Sequence, residues 1–280
     1  MRASLPPNWC FKRFEILPKL DEISLLILRY VILGDALPVR FYPYQQKNII
    51  SNGLSLTIYF WNFLDKKDIC KYASQYGNLD ILKYAHENGC PWDERTCAYA
   101  AESGSLPCLR YAHENGCPWN RWTCASAAKS GSLDLLKYAR ENDCPWHEWT
   151  CEYAAAYGHL DCLKYAHNNG CPWDGWTCIR AADGGFLDIL KYAKENGCPC
   201  SEKTCIAATI GESAECLKFL HENGCPWDKD RMCEYAVENG SLACLIYCYE
   251  NGCPLGEQIR DCAAKSTNPD LLEYIQRILN

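Results

Sequence analysis

The feature that most constrains this chain is a spacing. Cys-Pro-Trp begins at Cys90, Cys117, Cys144, Cys171 and Cys225, a Cys-Pro-Cys variant begins at Cys198, and these six positions are 27 residues apart. Seven residues after each of the first five pairs stands a second cysteine, at Cys97, Cys124, Cys151, Cys178 and Cys205, and Cys70 lies one period before Cys97. The register then stretches slightly, from Cys225 to Cys233 and from Cys253 to Cys262. A fixed period of this length marks stacked repeats, each a supersecondary unit that cannot bury its apolar face alone. Eight units follow, with helix pairs starting near Cys70, Cys97, Cys124, Cys151, Cys178, Cys205, Cys233 and Cys262.

The stretch from Trp122 to Trp146 shows the build of one unit. Cys124-Ala125-Ser126-Ala127-Ala128 is compact enough for a helix that approaches its neighbours closely, and Lys129-Ser130-Gly131 ends it, because glycine accepts the positive φ common beyond a helix. A second helix is expected from Ser132 to Arg140, with Leu133, Leu136 and Ala139 at helical spacing and Leu135 and Tyr138 widening the apolar face. Asn142-Asp143 and Pro145 stop it, since proline disfavours α geometry in the residue before it. The expected fold is therefore all-α, a helical-repeat solenoid with short loops between repeats.

The chain holds 22 cysteines, a density that in a small secreted protein would signal a disulfide framework. Here the thiols recur with the repeat, as core packing requires, and no secretory signal opens the sequence, so an intracellular, cytoplasmic setting is expected. Equivalent residues of stacked helices lie roughly 8 to 10 Å apart, too far for bridging in series. Cys198, Cys200 and Cys205, with Cys178 and Cys225, form the densest group, but a structural zinc site takes four converging ligands and small-residue packing is the simpler reading. No metal or cofactor is expected. The longest apolar stretches, Ile23 to Leu33 and Leu54 to Leu64, are too short or too interrupted to span a bilayer.

Cys97-Ala98-Tyr99-Ala100-Ala101-Glu102-Ser103-Gly104, followed by Ser105-Leu106-Pro107-Cys108-Leu109-Arg110-Tyr111-Ala112-His113-Glu114-Asn115-Gly116, resembles the helix-turn-helix of ankyrin repeats, and Gly158-His159-Leu160 reproduces that family's Gly-His-Leu form. Cys97 stands where the family has an inward leucine. The Thr-Pro-Leu-His opening of the family is absent, and the shortening falls between Gly116 and Cys124, where the family builds its β-hairpin finger. The resemblance covers roughly residues 66 to 276 and extends to shortened Cys-Pro-Trp repeats of large DNA viruses of protists and of some algae and oomycetes, the first of which would imply a viral protein in host cytoplasm. It implies a protein-protein interaction scaffold with a reduced finger.

Two tryptophan rows recur. Trp92, Trp119, Trp146, Trp173 and Trp227 are expected to pack the loop over the next helix pair. Trp122, Trp149 and Trp176 are confined to the middle of the array, with Arg95 and Lys203 at the same position in flanking units, and are the candidate exposed patch for a partner. The second helices carry Lys83, Arg110, Lys137, Lys164, Lys191 and Lys218, and three residues later His86, His113, Arg140, His167, Lys194 and His221. Both rows are expected on a solvated outer face, and Lys137, Arg140, Lys164 and His167 join the tryptophans as candidate partner-binding residues. Interleaved glutamates and a net charge of −7 argue against nucleic acid as the partner. The histidines come one per unit, which assembles no nucleophile, base and orienting acid; with no phosphate loop and no His-Glu-x-x-His motif, no enzyme is expected.

Residues 1–65 lack the repeat and are expected to cap its first unit or, alternatively, to form an F-box-like segment. Ile16-Leu17-Pro18 and the leucines up to Val31 resemble an F-box opening, which would imply an adaptor recruiting substrates to ubiquitin ligase machinery. At the other end Asn268 is expected to cap a helix opened by Pro269.

Overall fold

The computed structural model describes residues 64–279, apart from positions 257, 258, 260, 261, 264, 265 and 267. The fold is all-α, with no strand among the described residues. The F-box-like stretch and nearly all of the expected N-terminal cap lie outside them. The chain forms two compact units, Met1–Trp92 and Asp93–Asn280.

In the first unit a short 3-10 turn, Lys66–Asp68, leads into α1 (Ile69–Gln75) and α2 (Leu79–Glu87). Asn78 caps α2 by accepting from the backbone N–H of Ile81 at 3.1 Å. Ile69, Cys70 and Ala73 of α1 meet Ile81, Leu82 and Ala85 of α2 in a fully buried seam.

The second unit repeats this pair. Its helices are α3 (Glu94–Glu102), α4 (Leu106–Glu114), α5 (Arg121–Ser130), α6 (Leu133–Glu141), α7 (Glu148–Ala156), α8 (Leu160–Asn168), α9 (Gly175–Asp183), α10 (Leu187–Glu195), α11 (Glu202–Ile210), α12 (Ala214–Glu222), α13 (Met232–Glu238) and α14 (Leu242–Glu250), followed later by α15 (Pro269–Leu279). The first helices of successive pairs pack side by side over a long contact, whereas second helices meet at fewer points. Side-chain size explains the difference. The first helices turn Cys97, Ala100 and Ala101, Cys124, Ala127 and Ala128, or Cys151, Ala154 and Ala155 toward each other, all fully buried.

The second helices supply bulk at a matching register. Along one row Cys108, Leu135, Cys162, Ile189 and Cys216 alternate small with large, the pattern by which adjacent layers interdigitate. Beside it runs an unbroken row of Leu109, Leu136, Leu163, Leu190 and Leu217. Burying each leucine contributes about 1.5 to 3 kcal/mol, which each unit obtains only through its neighbours.

From α3 to α11 the first helices begin three residues before the cysteines that mark them in the sequence, whereas α1 and α13 begin one residue before theirs. Asp93, Asn120, His147 and Asp174 are the N-caps, with side chains accepting from the backbone N–H groups of Arg95, Trp122, Trp149 and Trp176. Trp122, Trp149 and Trp176 therefore sit in the first helical turn. Gly131, at φ 74°, closes α5, and a Cβ there would strike the ring of His159 from the next pair. His159 Nε2 lies 3.1 Å from the Lys129 carbonyl oxygen, tying one turn to the next.

The loop between α4 and α5 runs only from Asn115 to Asn120 and carries no hairpin. At the far end Asn268 caps α15, accepting from Asp270 N at 3.1 Å and Leu271 N at 3.3 Å, with Pro269 as the first helical residue.

Candidate functional site

The C-terminal ends of the second helices and the N-terminal ends of the first helices lie at the same end of each pair, and both tryptophan rows gather there. In the first row the rings of Trp119, Trp146, Trp173 and Trp227 are each held twice. Trp119 stacks on His113 of its own unit at 3.6 Å and meets Tyr138 of the next unit edge-on at 6.3 Å. Trp173 repeats this with His167 and Tyr192, and Trp227 stacks on His221 with Tyr247 tilted against it at 6.3 Å. The His167 and His221 Nδ1 atoms lie 3.0 and 2.8 Å from the hydroxyls of Tyr192 and Tyr247. Where the unit has arginine in place of histidine, the Arg140 guanidinium covers Trp146 at 5.2 Å, and the indole N–H donates to the Asn169 carbonyl at 3.1 Å. Burial in this layer pushes the phenols of Tyr138, Tyr165, Tyr192 and Tyr247 up and holds the His113 imidazolium below its ordinary range.

This separates two rows that the sequence places together. His113, Arg140, His167, Lys194 and His221 are half-buried against the ladder instead of forming a solvated face, because a residue near the helix C-terminus is covered by the loop that turns back over it. Arg110, Lys164, Lys191 and Lys218 are exposed, while Lys137 is half-buried. Two of the exposed cations lie over rings of the next unit: Arg110 over Tyr138 at 5.2 Å and Lys164 over Tyr192 at 5.7 Å.

The second tryptophan row has a different setting. Trp122 and Trp176 are 41% and 48% exposed, among the most open large apolar side chains described. Trp149 is half-buried because Trp122 stacks on it at 4.2 Å, His147 leans against it at 4.2 Å, and the Arg121 guanidinium lies 5.8 Å from its ring. Arg180 is 5.6 Å from the ring of Trp176 while its Nε donates to Glu152 at 3.1 Å. The three residues thus form a stacked pair and a neighbouring ring, each flanked by an arginine, on successive first helices.

No protein-family model matches the sequence, and no curated protein matches it. Among solved structures, the ankyrin repeat domain of human ASB11 is similar, with a TM-score of 0.52 and 17% identity over 67% of this chain and 99% of that one. The fold is an ankyrin-like helical repeat. At this identity the likeness carries the fold alone and does not reach the shortened Cys-Pro-Trp variety or a viral source.

Within each ankyrin-like unit the cysteines serve as buried links. The Cys97 thiol points at the Cys117 carbonyl at 3.8 Å, and the Cys117 thiol donates to the carbonyl of Asp93, the N-cap residue, at 3.2 Å. The pattern recurs: Cys144, Cys171, Cys198 and Cys225 donate to the carbonyls of Asn120, His147, Asp174 and Ser201. The spacing of 27 is therefore also a hydrogen-bonding register, joining each Cys-Pro loop to the cap of its own unit. Hydrogen bonding to the partner thiol and burial push Cys97, Cys124, Cys151 and Cys178 up, while acceptance from its partner holds Cys198 down. Among the described residues no three or more His, Cys, Asp or Glu side chains are arranged to hold a metal ion, and no helix is long and apolar enough to cross a membrane. The tyrosines that complete the ladder escaped the sequence reading. Their signal was present, since Tyr138, Tyr165 and Tyr192 each follow the matching histidine or arginine by 25 residues.

Proposed function

We propose that this protein is a non-enzymatic recognition scaffold whose ankyrin-like units present the Trp122, Trp149 and Trp176 surface to a protein partner. The observation that carries this reading is the exposure of Trp122 and Trp176 in a repeat whose other tryptophan row is half-buried. Large aromatic side chains beside arginines are the residue types that dominate protein interfaces, because they desolvate broad area at low entropic cost. The loops are too short to form projecting fingers, and the first turns of α5 and α9 carry the exposed tryptophans at that end. Lys137, Arg140, Lys164 and His167 extend the candidate surface, Arg140 and His167 chiefly by fixing the ladder beneath it. The adaptor reading rests on residues 16–31 of the sequence and requires a second partner bound there.

A photo-crosslinking residue placed at position 176 of the full chain tests the proposal in extracts of the source cell. The expected result is one dominant covalent protein adduct that is absent when the same group is placed at Tyr249, an exposed aromatic site outside the row. Equal labelling at both positions would contradict it.

A further inference from the structure

Cys200 departs from its row in a way that creates a chemically distinct site. In the equivalent place the neighbouring units have Trp146, Trp173 and Trp227, and among the described cysteines Cys200 alone is not buried. The repeat geometry dictates what lies beside it. The residue after each ladder tryptophan is the N-cap whose carbonyl accepts the thiol of the next Cys-Pro loop, as Asn120 does from Cys144 and His147 from Cys171. In this unit that residue is Ser201, whose carbonyl accepts from Cys225 at 3.4 Å. Replacing tryptophan by cysteine one position earlier therefore sets a second thiol beside the residue that receives Cys225, near enough for Cys200 and Cys225 to perturb one another, alongside the buried Cys205. The ring's partner has changed with it: where other units stack histidine or arginine on tryptophan, Lys194 donates from Nζ to Cys200 Sγ at 3.0 Å.

We infer that Cys200 and Cys225 form a peroxide-sensitive thiol pair, with Cys200 the attacking sulfur, Cys225 the resolving sulfur and Lys194 the cation that favours the thiolate. Burial pushes the Cys200 thiol up, the Lys194 hydrogen bond opposes this and Cys225 adds to the rise, so the lysine is the group beside Cys200 that favours its thiolate. In the first step the Cys200 thiolate attacks one oxygen of hydrogen peroxide, the O–O bond breaks, and the departing hydroxide takes up the proton the thiol released. The products are a sulfenic acid and water. In the second, the Cys225 sulfur attacks the Cys200 sulfur, the S–O bond breaks, and the leaving hydroxide takes the Cys225 proton as a second water. The product is a disulfide joining the loops that follow α10 and α12.

The test uses the full chain, reduced, freed of reductant and treated with one equivalent of hydrogen peroxide per chain before alkylation under denaturing conditions. Trypsin separates Cys200, within residues 195–203, from Cys205, within 204–218, and from Cys225, within 219–229. The expected product is a crosslink between the first and third peptides that persists in Cys198→Ser and vanishes in Cys200→Trp, which restores the residue of the neighbouring units, and in Cys200→Ser. In Cys225→Ser the Cys200 sulfenic acid should persist and be trapped by dimedone. Lys194→Gln should slow the reaction severalfold at neutral pH while leaving the unfolding midpoint close to that of the parent chain. The inference is overturned if the crosslink joins the second and third peptides, if it is lost in Cys198→Ser, if dimedone labels no Cys200 in Cys225→Ser, or if Cys200 remains a free thiol throughout.

Discussion

The two tryptophan rows stand three residues apart in the same units and meet opposite fates. Trp119, Trp146 and Trp173 precede the N-cap, where the chain is still turning back over the second helix, so each ring falls between a histidine or arginine of its own unit and a tyrosine of the next. Trp122, Trp149 and Trp176 follow the N-cap by two residues, in a first turn that the returning loop does not cover, and only Trp149 is shielded, by Trp122 and His147. The cap is the dividing line. One row locks each unit to the next along its length, whereas the other touches between units only at the Trp122–Trp149 stack and leaves Trp122 and Trp176 open, although both repeat at the same period.

This contrast can be broken most sharply by truncating one ring from each row. Trp173→Ala removes a stacked histidine contact and an edge contact across the unit boundary and should cost about 2 to 3 kcal/mol, whereas Trp176→Ala should stay within about 0.5 kcal/mol, as urea unfolding would show. Equal losses would mean that the second row also holds the stack together.

A subtler test concerns the threonines beneath the exposed row. Thr123 and Thr177 are buried with hydroxyls lacking a hydrogen-bond partner among the described residues, while the flanking Thr204 accepts from the Ser201 N–H at 3.1 Å in a capping box. Thr123→Val should stabilise the chain by up to about 1 kcal/mol and Thr204→Val should destabilise it by about 1 kcal/mol, since only the second breaks a hydrogen bond. Thermal unfolding of both variants reads the difference in sign.

Two backbone positions should give smaller gains. Asp143 and Glu212 take φ of 64° and 55°, the left-handed region that Gly116 and Gly185 occupy at the equivalent places. Asp143→Gly should add about 0.5 to 1 kcal/mol by removing that strain, with a similar gain at Glu212→Gly, in the same urea assay.

The smallest effect distinguishes the rows by pH. Burial lowers the folded His113 pKa, with Glu114 opposing, so the unfolded chain takes up the proton first. The stability this histidine contributes is complete above the unfolded value of about 6.5 and is lost as pH falls from there through the folded pKa. Urea midpoints between pH 7.5 and 5.5 should therefore decline less in His113→Phe than in the parent chain.

Much of the fold is legible in the sequence because period, helix-breaking glycines and small-residue runs are local signals. Asn268 and Pro269 announce the last cap, and the alternation of Cys108, Leu135 and Cys162 is visible as a row. What periodicity does not reveal is which equivalent positions face a neighbour. His113 and Arg110 share a helix and a spacing, yet the returning loop covers one and leaves the other exposed. The better signal is joint replacement: histidine with tryptophan, arginine with tryptophan, and at one unit lysine with cysteine, each pair marking a contact.

The division of labour between the rows is tested most directly by capture with the full chain carrying Trp122→Ser, Trp149→Ser and Trp176→Ser, measured beside its unfolding midpoint. The account predicts a folded chain, weakened modestly by loss of the Trp122 and Trp149 stack, that no longer retains the protein crosslinked at position 176. Undiminished retention of that protein would contradict it.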